Sequence, residues 1–246
     1  MISISASLIS SDTHLIRGAA KDFSCCVSYI IGTQQRAVND IDVIGVCRMQ
    51  QQVHFQQGSE NQFAFVFSCP GREEEKAGFP AAKMTGINLA KLFVVLNEMK
   101  IKDYHFARES VTITNAWSNV EYDAKTCRSE ATDEEVLSPD NLNRLFEELA
   151  AVTELIVCCG QKARLAIQAL AAENRLKAGT RVVFINHLGM KSINQITKDI
   201  HGEPIVAVAK HPDRFTLAAK EIGGSNTKKR LEVVAARIKE SLLSSN

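Results

Sequence analysis

Short apolar or β-branched runs alternate along the chain with longer segments in which apolar side chains recur every three or four positions. The runs are residues 63–67, 111–116, 155–159, 182–185 and 205–209. They end at polar or glycine-containing turns, which indicates buried β-strands. The run at 63–67 is so apolar that it predicts a central strand.

Helical spacing of apolar side chains follows most of these runs. It covers residues 86–96, 138–149, 161–167 and 231–242, and Pro139 suits the first turn of the second segment. Strands that alternate with helices indicate a doubly wound sheet. We therefore expect an α/β fold, a three-layer α/β/α sandwich around a central, mostly parallel sheet of four or five strands.

The length of 246 residues suits one α/β domain. We expect a single domain over residues 1–246, in which residues 1–60 form a divergent N-terminal extension packed on the rest. Within this extension, residues 42–46 predict a further strand, and residues 50–57 are rich in glutamine.

Charge and cysteine content bear on partners and compartment. The formal net charge is +1, so any contact with nucleic acid has to be local. The seven cysteines have no disulfide-scaffold spacing, and they include the adjacent pairs Cys25-Cys26 and Cys158-Cys159. This odd count suits a reducing cytoplasm, and no segment approaches a membrane span. We expect a cytoplasmic protein without membrane contact, and we expect it to be a monomer.

Polar residues and glycines follow the first predicted strand where it ends. They are Ser68, Cys69, Pro70 and Gly71, then Glu73, Glu74 and Glu75, then Gly78, Pro80 and Gly86. Ligands bind beyond the carboxyl ends of strands in open α/β sheets, because helix N-termini and loop amides converge there. The sequence therefore predicts a site at this edge. A solvated loop face is the alternative interpretation of the three adjacent glutamates.

This stretch resembles the first motif of the uracil-DNA glycosylase superfamily, most closely the family 4 pattern G-E-A-P-G, two residues, E-D, two residues, G-x-P-F-V-G-x-A-G. The residues in matching places are Pro70, Gly71, Glu74, Glu75, Gly78, Pro80 and Gly86. Several positions depart from the pattern. Residues 67–69 replace G-E-A, Glu75 replaces the aspartate, and Ala81 stands where the family has a phenylalanine that stacks on the extruded base. The adjacent Ala82 and Lys83 replace valine and glycine.

Three later segments resemble the same family in the same order. Asn115 ends the second strand, as the asparagine of Asn-Val-Val-Lys-Cys does, and residues 160–163 resemble L-G-x-x-A. Residues 210–214 resemble the final His-Pro-Ser motif, with Asp213 in place of serine. The resemblance covers about residues 62 to 243, and it implies a DNA glycosylase.

The resemblance implies three catalytic residues. Glu74 orients or deprotonates a water and stabilises the cationic sugar, and Asn115 reads the edge of the base. His211 donates a hydrogen bond to the base carbonyl or to a flanking phosphate. His187 also follows a strand and precedes a turn, so it is an alternative catalytic imidazole. We expect the base pocket to be formed by Ser68, Cys69, Pro70, Gly71, Ala81, Lys83 and His187.

The DNA contacts are expected on the basic and helix-start residues of the later segments. They are Gly160, Gln161, Lys162, Lys210, Asp213, Arg214, Lys228 and Lys229. An ordinary basic helix start is the alternative interpretation of the last two lysines. No Cys-x-x-Cys occurs, and Cys25, Cys26, Cys47 and Cys127 are scattered, so we expect no iron–sulfur cluster, no metal and no cofactor.

The substitution at Ala81 predicts a wider pocket than the family's uracil slot, because a stacking ring is lost. We therefore expect excision of a bulky or modified pyrimidine, such as glucosylated hydroxymethylcytosine of phage DNA, with Lys83 and the loop at 117–135 reaching polar substituents. The expected product is an abasic site, since no lysine is marked as a nucleophile. The alternatives are an ordinary uracil-DNA glycosylase of base excision repair, a non-catalytic nucleic-acid or nucleotide-binding module, and a hydrolase of free nucleosides or nucleotides.

Overall fold

The computed structural model describes residues 52–206 and 216–244, which belong to one compact unit, Arg48–Asn246. The strands are β1 (Phe55–Gln56), β2 (Phe63–Phe67), β3 (Thr112–Asn115), β4 (Leu155–Cys159) and β5 (Arg181–Ile185). The helices are α1 (Arg72–Ala77), α2 (Lys83–Glu98), α3 (Asp123–Thr126), α4 (Asp133–Val136), α5 (Pro139–Leu149), α6 (Gln161–Ala172), α7 (Met190–Ile193) and α8 (Leu217–Leu243).

The five strands form one sheet in the order β1-β3-β2-β4-β5. The β3, β2, β4 and β5 strands run parallel, and β1 pairs antiparallel with β3. The predicted α/β class and the mostly parallel sheet are therefore confirmed, with β2 at the centre as expected.

Among the described residues, the fifth strand of the sheet is β1, in which Phe55 pairs with Thr114 and Gln56 with Ile113. Of the strand predicted at 205–209, only Ile205 and Val206 are described, and they belong to no strand; residues 207–209 lie outside the described residues. Two residues are too few to show a period in the sequence, so β1 could not be predicted. The strand predicted at 42–46 also lies outside the described residues.

Apolar side chains point to both faces of the sheet, and helices cover both faces. Side chains alternate along β2, so Phe63, Phe65 and Phe67 pack in one buried cluster with residues of α2 and α8. Ala64 and Val66 pack on the other face in a second cluster with residues of α5 and α6. All five β2 residues are buried, which accounts for the continuous apolar run. The result is the layer order helix, sheet, helix.

None of the described helices combines the length and the apolar character that crossing a membrane requires. The four parallel strands end at Phe67, Asn115, Cys159 and Ile185, and these four carboxyl ends lie at one edge of the sheet. The residues that follow them form the candidate site.

Candidate functional site

Two adjoining cavities open at the carboxyl edge of the sheet. The first, here called the small cavity, has a volume of about 230 Å³ and lies at the ends of β2 and β3. The second, called the large cavity, has a volume of about 540 Å³ and lies at the ends of β4 and β5. Ser68, Glu130 and His187 line both cavities, so the two spaces share a wall.

The small cavity brings together most of the predicted pocket and two of the three predicted catalytic residues. Its predicted lining residues are Ser68, Cys69, Gly71, Glu74, Ala81, Asn115 and His187. Pro70 and Lys83 are not among the lining residues. The Lys83 ammonium lies 3.1 Å from a carboxylate oxygen of Glu73 and is largely exposed, so the structure turns this lysine to the surface. His211 lies outside the described residues.

Glu74 is held by two backbone amides. It is the third residue of α1, and its Oε2 accepts a hydrogen bond from the amide of Gly71, the N-cap residue, at 3.1 Å; this is the half of a capping box in which the third helical residue caps the N-cap amide. Its Oε1 accepts from the amide of Ala82 at 3.1 Å. These bonds fix the plane of the carboxylate at the cavity wall, and each oxygen keeps a second lone pair for another donor.

The segment 80–83 forms part of the same wall and has an unusual backbone. Ala81 and Lys83 have φ angles of 48° and 47°, in the left-handed region that non-glycine residues rarely adopt. The carbonyl oxygen of Ala81 lies so close to α2 that a Cβ atom on Gly86 would be 2.3 Å from it. The glycine of the family pattern at this position is therefore required by the close approach of two backbone segments.

Asn115 ends β3 and presents an unsatisfied acceptor. Its side chain is buried, and no donor in the described residues reaches its Oδ1 atom. Its backbone carbonyl accepts from the guanidinium of Arg144 at 3.0 Å, which fixes the end of the strand. Buried acceptors without a partner are rare in folded proteins, so Oδ1 is suited to receive an N–H group from a ligand.

His187 follows β5 and is oriented as a hydrogen-bond donor. Its Nδ1 accepts from the amide of Gly189 at 2.9 Å, which places the proton of the neutral ring on Nε2. Burial lowers the pKa of His187, against the opposing charges of Glu130 and Glu74. The ring packs edge to face on Phe67, with 5.6 Å between centroids. The site thus holds a neutral imidazole with a fixed tautomer.

Cys69 lines the small cavity but is not suited to act as a nucleophile. Its burial raises the pKa of the thiol to about 12, and the reactive form of cysteine is the thiolate. The Sγ atom lies 3.8 Å from the carbonyl oxygen of Ser129. Cys69 is therefore a wall of the cavity.

Glu130 lines both cavities and was not predicted from the sequence. It lies between α3 and α4 in the segment 117–135, which was predicted as a loop but contains these two short helices. In this segment Arg128 pairs with Glu121 at 2.5 Å and with Glu135 at 2.7 Å. A hydrogen bond of 2.8 Å from the Tyr122 hydroxyl to Glu75 joins the loop to α1. The length of the loop was the only signal in the sequence, and it could not show which carboxylate reaches the cavity.

The predicted DNA contacts divide into two groups. Gly160 and Gln161 line the large cavity. Three lysines instead pair with carboxylates away from the lining: Lys162 with Asp133 at 2.6 Å, Lys228 with Glu98 at 3.7 Å and Lys229 with Asp199 at 3.9 Å. Lys210, Asp213 and Arg214 lie outside the described residues.

Within residues 52–206 and 216–244, no three His, Cys, Asp or Glu side chains are grouped as a metal site requires. Cys25, Cys26 and Cys47 lie outside these ranges. No protein-family model matches the chain, and no characterised protein matches it in sequence. The resemblance to uracil-DNA glycosylases therefore rests on the matching residues themselves, and it stays a prediction.

Proposed function

We propose that the chain is a monofunctional DNA glycosylase, which hydrolyses the N-glycosidic bond of a flipped-out, bulky pyrimidine and leaves an abasic site. One observation carries the proposal. The small cavity is lined by a backbone-held carboxylate, an unpaired amide oxygen and a neutral imidazole, which belong to Glu74, Asn115 and His187. Breaking this bond needs recognition of the base, a donor for the departing base and a carboxylate near the sugar.

Recognition of the base falls to Asn115. A pyrimidine edge presents an N–H donor next to an acceptor, and a carboxamide offers the complementary pair. The buried Oδ1 atom accepts from the base, and the side-chain amide donates to the neighbouring ring atom. Oδ1 has no partner among the described residues. Binding of the base therefore gives this buried oxygen the hydrogen-bond donor that it lacks.

His187 is the donor for the departing base. Negative charge develops on the base as the glycosidic bond breaks, and a preorganised N–H group stabilises that charge best in a site shielded from water. The Nε2–H group meets this need, because the amide of Gly189 fixes the other ring nitrogen as an acceptor. His211, the imidazole implied by the resemblance, remains the alternative.

Glu74 acts on the sugar and the water. Its carboxylate stabilises the oxocarbenium-like sugar, and a free lone pair orients the attacking water. The two backbone bonds hold the carboxylate in place before the substrate arrives, so no reorganisation is needed during the reaction.

The size of the base follows from Ala81 and Thr85, which contribute only small side chains to the small cavity. A pyrimidine that carries a substituent, such as glucosylated hydroxymethylcytosine, suits this wall better than uracil does. A non-catalytic binding module is the second candidate. It is favoured by the hydrogen bond from the N-cap amide of Gly71 to Glu74, because a carboxylate that caps a helix needs no catalytic role.

Release of abasic sites from a panel of DNAs tests the proposal. The panel contains unmodified cytosine, uracil, hydroxymethylcytosine and its glucosylated form, each treated with the wild type, Glu74→Gln and Asn115→Ala. We expect release from a modified cytosine, a loss of about a hundredfold in Glu74→Gln and a loss of at least about tenfold in Asn115→Ala.

Glu73→Gln is the matched control, because it removes the same charge from the preceding position, where Glu73 pairs with Lys83 at the surface. Thermal unfolding of each variant separates lost chemistry from lost folding, since Glu74 also caps α1. Release of uracil alone would favour the ordinary repair enzyme. DNA binding without any release would favour the binding module and overturn the proposal.

A further inference from the structure

The large cavity is lined by three cationic side chains from three different helices. They are Arg164 of α6, Lys191 of α7 and Arg237 of α8, whereas Glu130 is the one acidic residue of the lining. His187 adds no charge when it is neutral. The lining therefore carries a net positive charge, although the whole chain has a formal net charge of only +1.

These three cations differ from the three described lysines that the sequence predicted as DNA contacts. Lys162, Lys228 and Lys229 each pair with a carboxylate. In the part of the chain that the structure describes, no carboxylate lies within 4.0 Å of the charged atoms of Arg164, Lys191 or Arg237. Their charges are thus available to an anionic ligand.

Arg164 is oriented by an interaction that leaves its donors free. The centre of its guanidinium lies 4.7 Å from the centroid of the Phe184 ring. Among the described residues, no hydrogen bond or ion pair engages this guanidinium, so its N–H groups stay available. Planar N–H pairs of this kind match the oxygens of phosphate.

The backbone at the start of α6 adds to the positive charge at the wall of the large cavity. Gly160 precedes α6 with a φ angle of 102°, and its amide donates to the carbonyl of Ile185 at 3.1 Å. This bond ties the start of the twelve-residue α6 to the end of β5. Gly160 and Gln161 both line the large cavity, so the positive end of the helix dipole lies at its wall.

We propose that the large cavity binds a phosphate ester through Arg164, Lys191 and Arg237. Its volume of about 540 Å³ is ample for a nucleotide phosphate with its sugar. Since Ser68 and His187 also line the small cavity, one nucleotide can place its base in the small cavity and its phosphate in the large one. The phosphate belongs either to a nucleic-acid strand or to a free nucleotide, and binding it does not require cleavage of a glycosidic bond.

Binding measurements without turnover test the inference. The probes are inorganic phosphate, deoxycytidine 5′-monophosphate, a short single-stranded DNA of unmodified bases, and deoxycytidine as the uncharged reference. The proteins are the wild type, Arg164→Gln, Arg237→Gln and the double variant. Lys239→Gln is the matched control, because it removes one positive charge from the same helix as Arg237 and Lys239 does not line the cavity.

We expect each arginine variant to weaken binding of the phosphate-containing probes by about tenfold, and to leave deoxycytidine binding and the unfolding temperature unchanged. For the single-stranded DNA, the slope of log K against log salt should become shallower by about 0.7 for each phosphate that the variant no longer neutralises. Lys239→Gln should resemble the wild type. An effect on both DNA and mononucleotide indicates a free nucleotide as a ligand, and an effect on DNA alone indicates the strand.

Equal affinities of the double variant and Lys239→Gln for every phosphate probe would overturn the inference, as would a wild type that binds none of them. The result of these binding measurements does not depend on whether the proposed glycosylase reaction takes place. If no DNA of the excision panel is cleaved and the arginine variants still lose phosphate binding, then the phosphate site stands and the glycosylase proposal fails.

Discussion

The guanidinium of Arg108 donates from Nη1 to the carbonyl oxygen of Ala81 at 3.2 Å. Its Nη2 donates to the carbonyl of Pro80 at 2.5 Å, and its Nε donates to the side chain of Gln56 in β1 at 3.1 Å. The amide of the next residue in the same segment, Ala82, donates to Glu74. Arg108 therefore connects the edge of the sheet to the candidate catalytic carboxylate through the left-handed segment at 80–83.

Replacement of Arg108 should loosen this segment. We expect Arg108→Ala to lower the free energy of unfolding by about 3 kcal/mol, because it removes charge-assisted hydrogen bonds to two carbonyls. Excision should fall further than the lower stability explains, since the Ala82 amide that donates to Glu74 is less firmly positioned. Urea unfolding and the excision assay measure the two effects.

Arg108→Lys is the informative companion variant, because it keeps the charge and loses the fork of donors. We expect it to recover part of the stability and little of the activity. Full activity in Arg108→Lys would show that the fork does not position Glu74.

Two glycines should respond to alanine with opposite signs. In Gly86→Ala the new Cβ would meet the carbonyl oxygen of Ala81 at 2.3 Å, so the segment has to move and we expect a loss of about 1–3 kcal/mol. In Gly223→Ala, within α8, no atom lies within 4 Å of the new Cβ. We expect a gain of up to about 1 kcal/mol there, because alanine favours the helix. Thermal unfolding of both variants is the measurement, and equal signs would contradict the close approach at Gly86.

The sequence predicted those parts of the site that a strand end determines. Asn115 ends one apolar run and Glu74 comes shortly after another, and parallel strands bring their carboxyl ends to one edge. The strand ends predict where these two residues lie, and only the resemblance implies their roles. Glu130 could not be predicted, because its position depends on the ion pairs of Arg128 with Glu121 and Glu135 across a long loop. Such pairs join residues without any periodic pattern.

The same limit applies to the predicted cations. A basic residue in a sequence carries no sign of its partner, so Lys162 could not be distinguished from Arg164. In the structure Lys162 pairs with Asp133, whereas Arg164 lies over Phe184 at the large cavity. The strand β1 could not be predicted from the sequence either, since its two residues are fixed only by pairing with β3.

The loop at 117–135 should make folding sensitive to acid. Hydrogen bonds from Arg128 lower the pKa of Glu121 from its usual 4.5 to about 2. The unfolded chain then binds more protons than the folded chain between these pH values. The contribution of Glu121 is therefore complete above about pH 4.5 and is lost as the pH falls toward about 2.

We expect Glu121→Gln to be less stable than the wild type at neutral pH, and the difference to shrink as the pH falls through this window. Glu134→Gln, a change at an exposed position of α4 in the same segment, should follow the wild type throughout. Urea unfolding across the acid range is the measurement. A constant difference between Glu121→Gln and the wild type would contradict the role of the ion pair.

His187 should remain neutral to a lower pH than an exposed histidine does. Burial lowers its pKa from the usual 6.5, although the charges of Glu130 and Glu74 oppose this. Protonation would also place a hydrogen on Nδ1, where the amide of Gly189 now donates at 2.9 Å. The stability that His187 contributes is thus present above about pH 6.5 and declines as the pH falls below that value, because the unfolded chain takes up the proton first.

Nitrogen NMR of the imidazole measures this directly. At about pH 7.5 we expect Nδ1 of His187 to show the shift of a bare ring nitrogen and Nε2 that of a protonated one, with the change to two protonated nitrogens below pH 6.5. His187→Gln should remove the corresponding pH dependence of stability, whereas His105→Gln, at an exposed position, should retain it. A proton on both nitrogens at neutral pH would contradict the assigned tautomer, and His187 would then donate to the departing base as a cation.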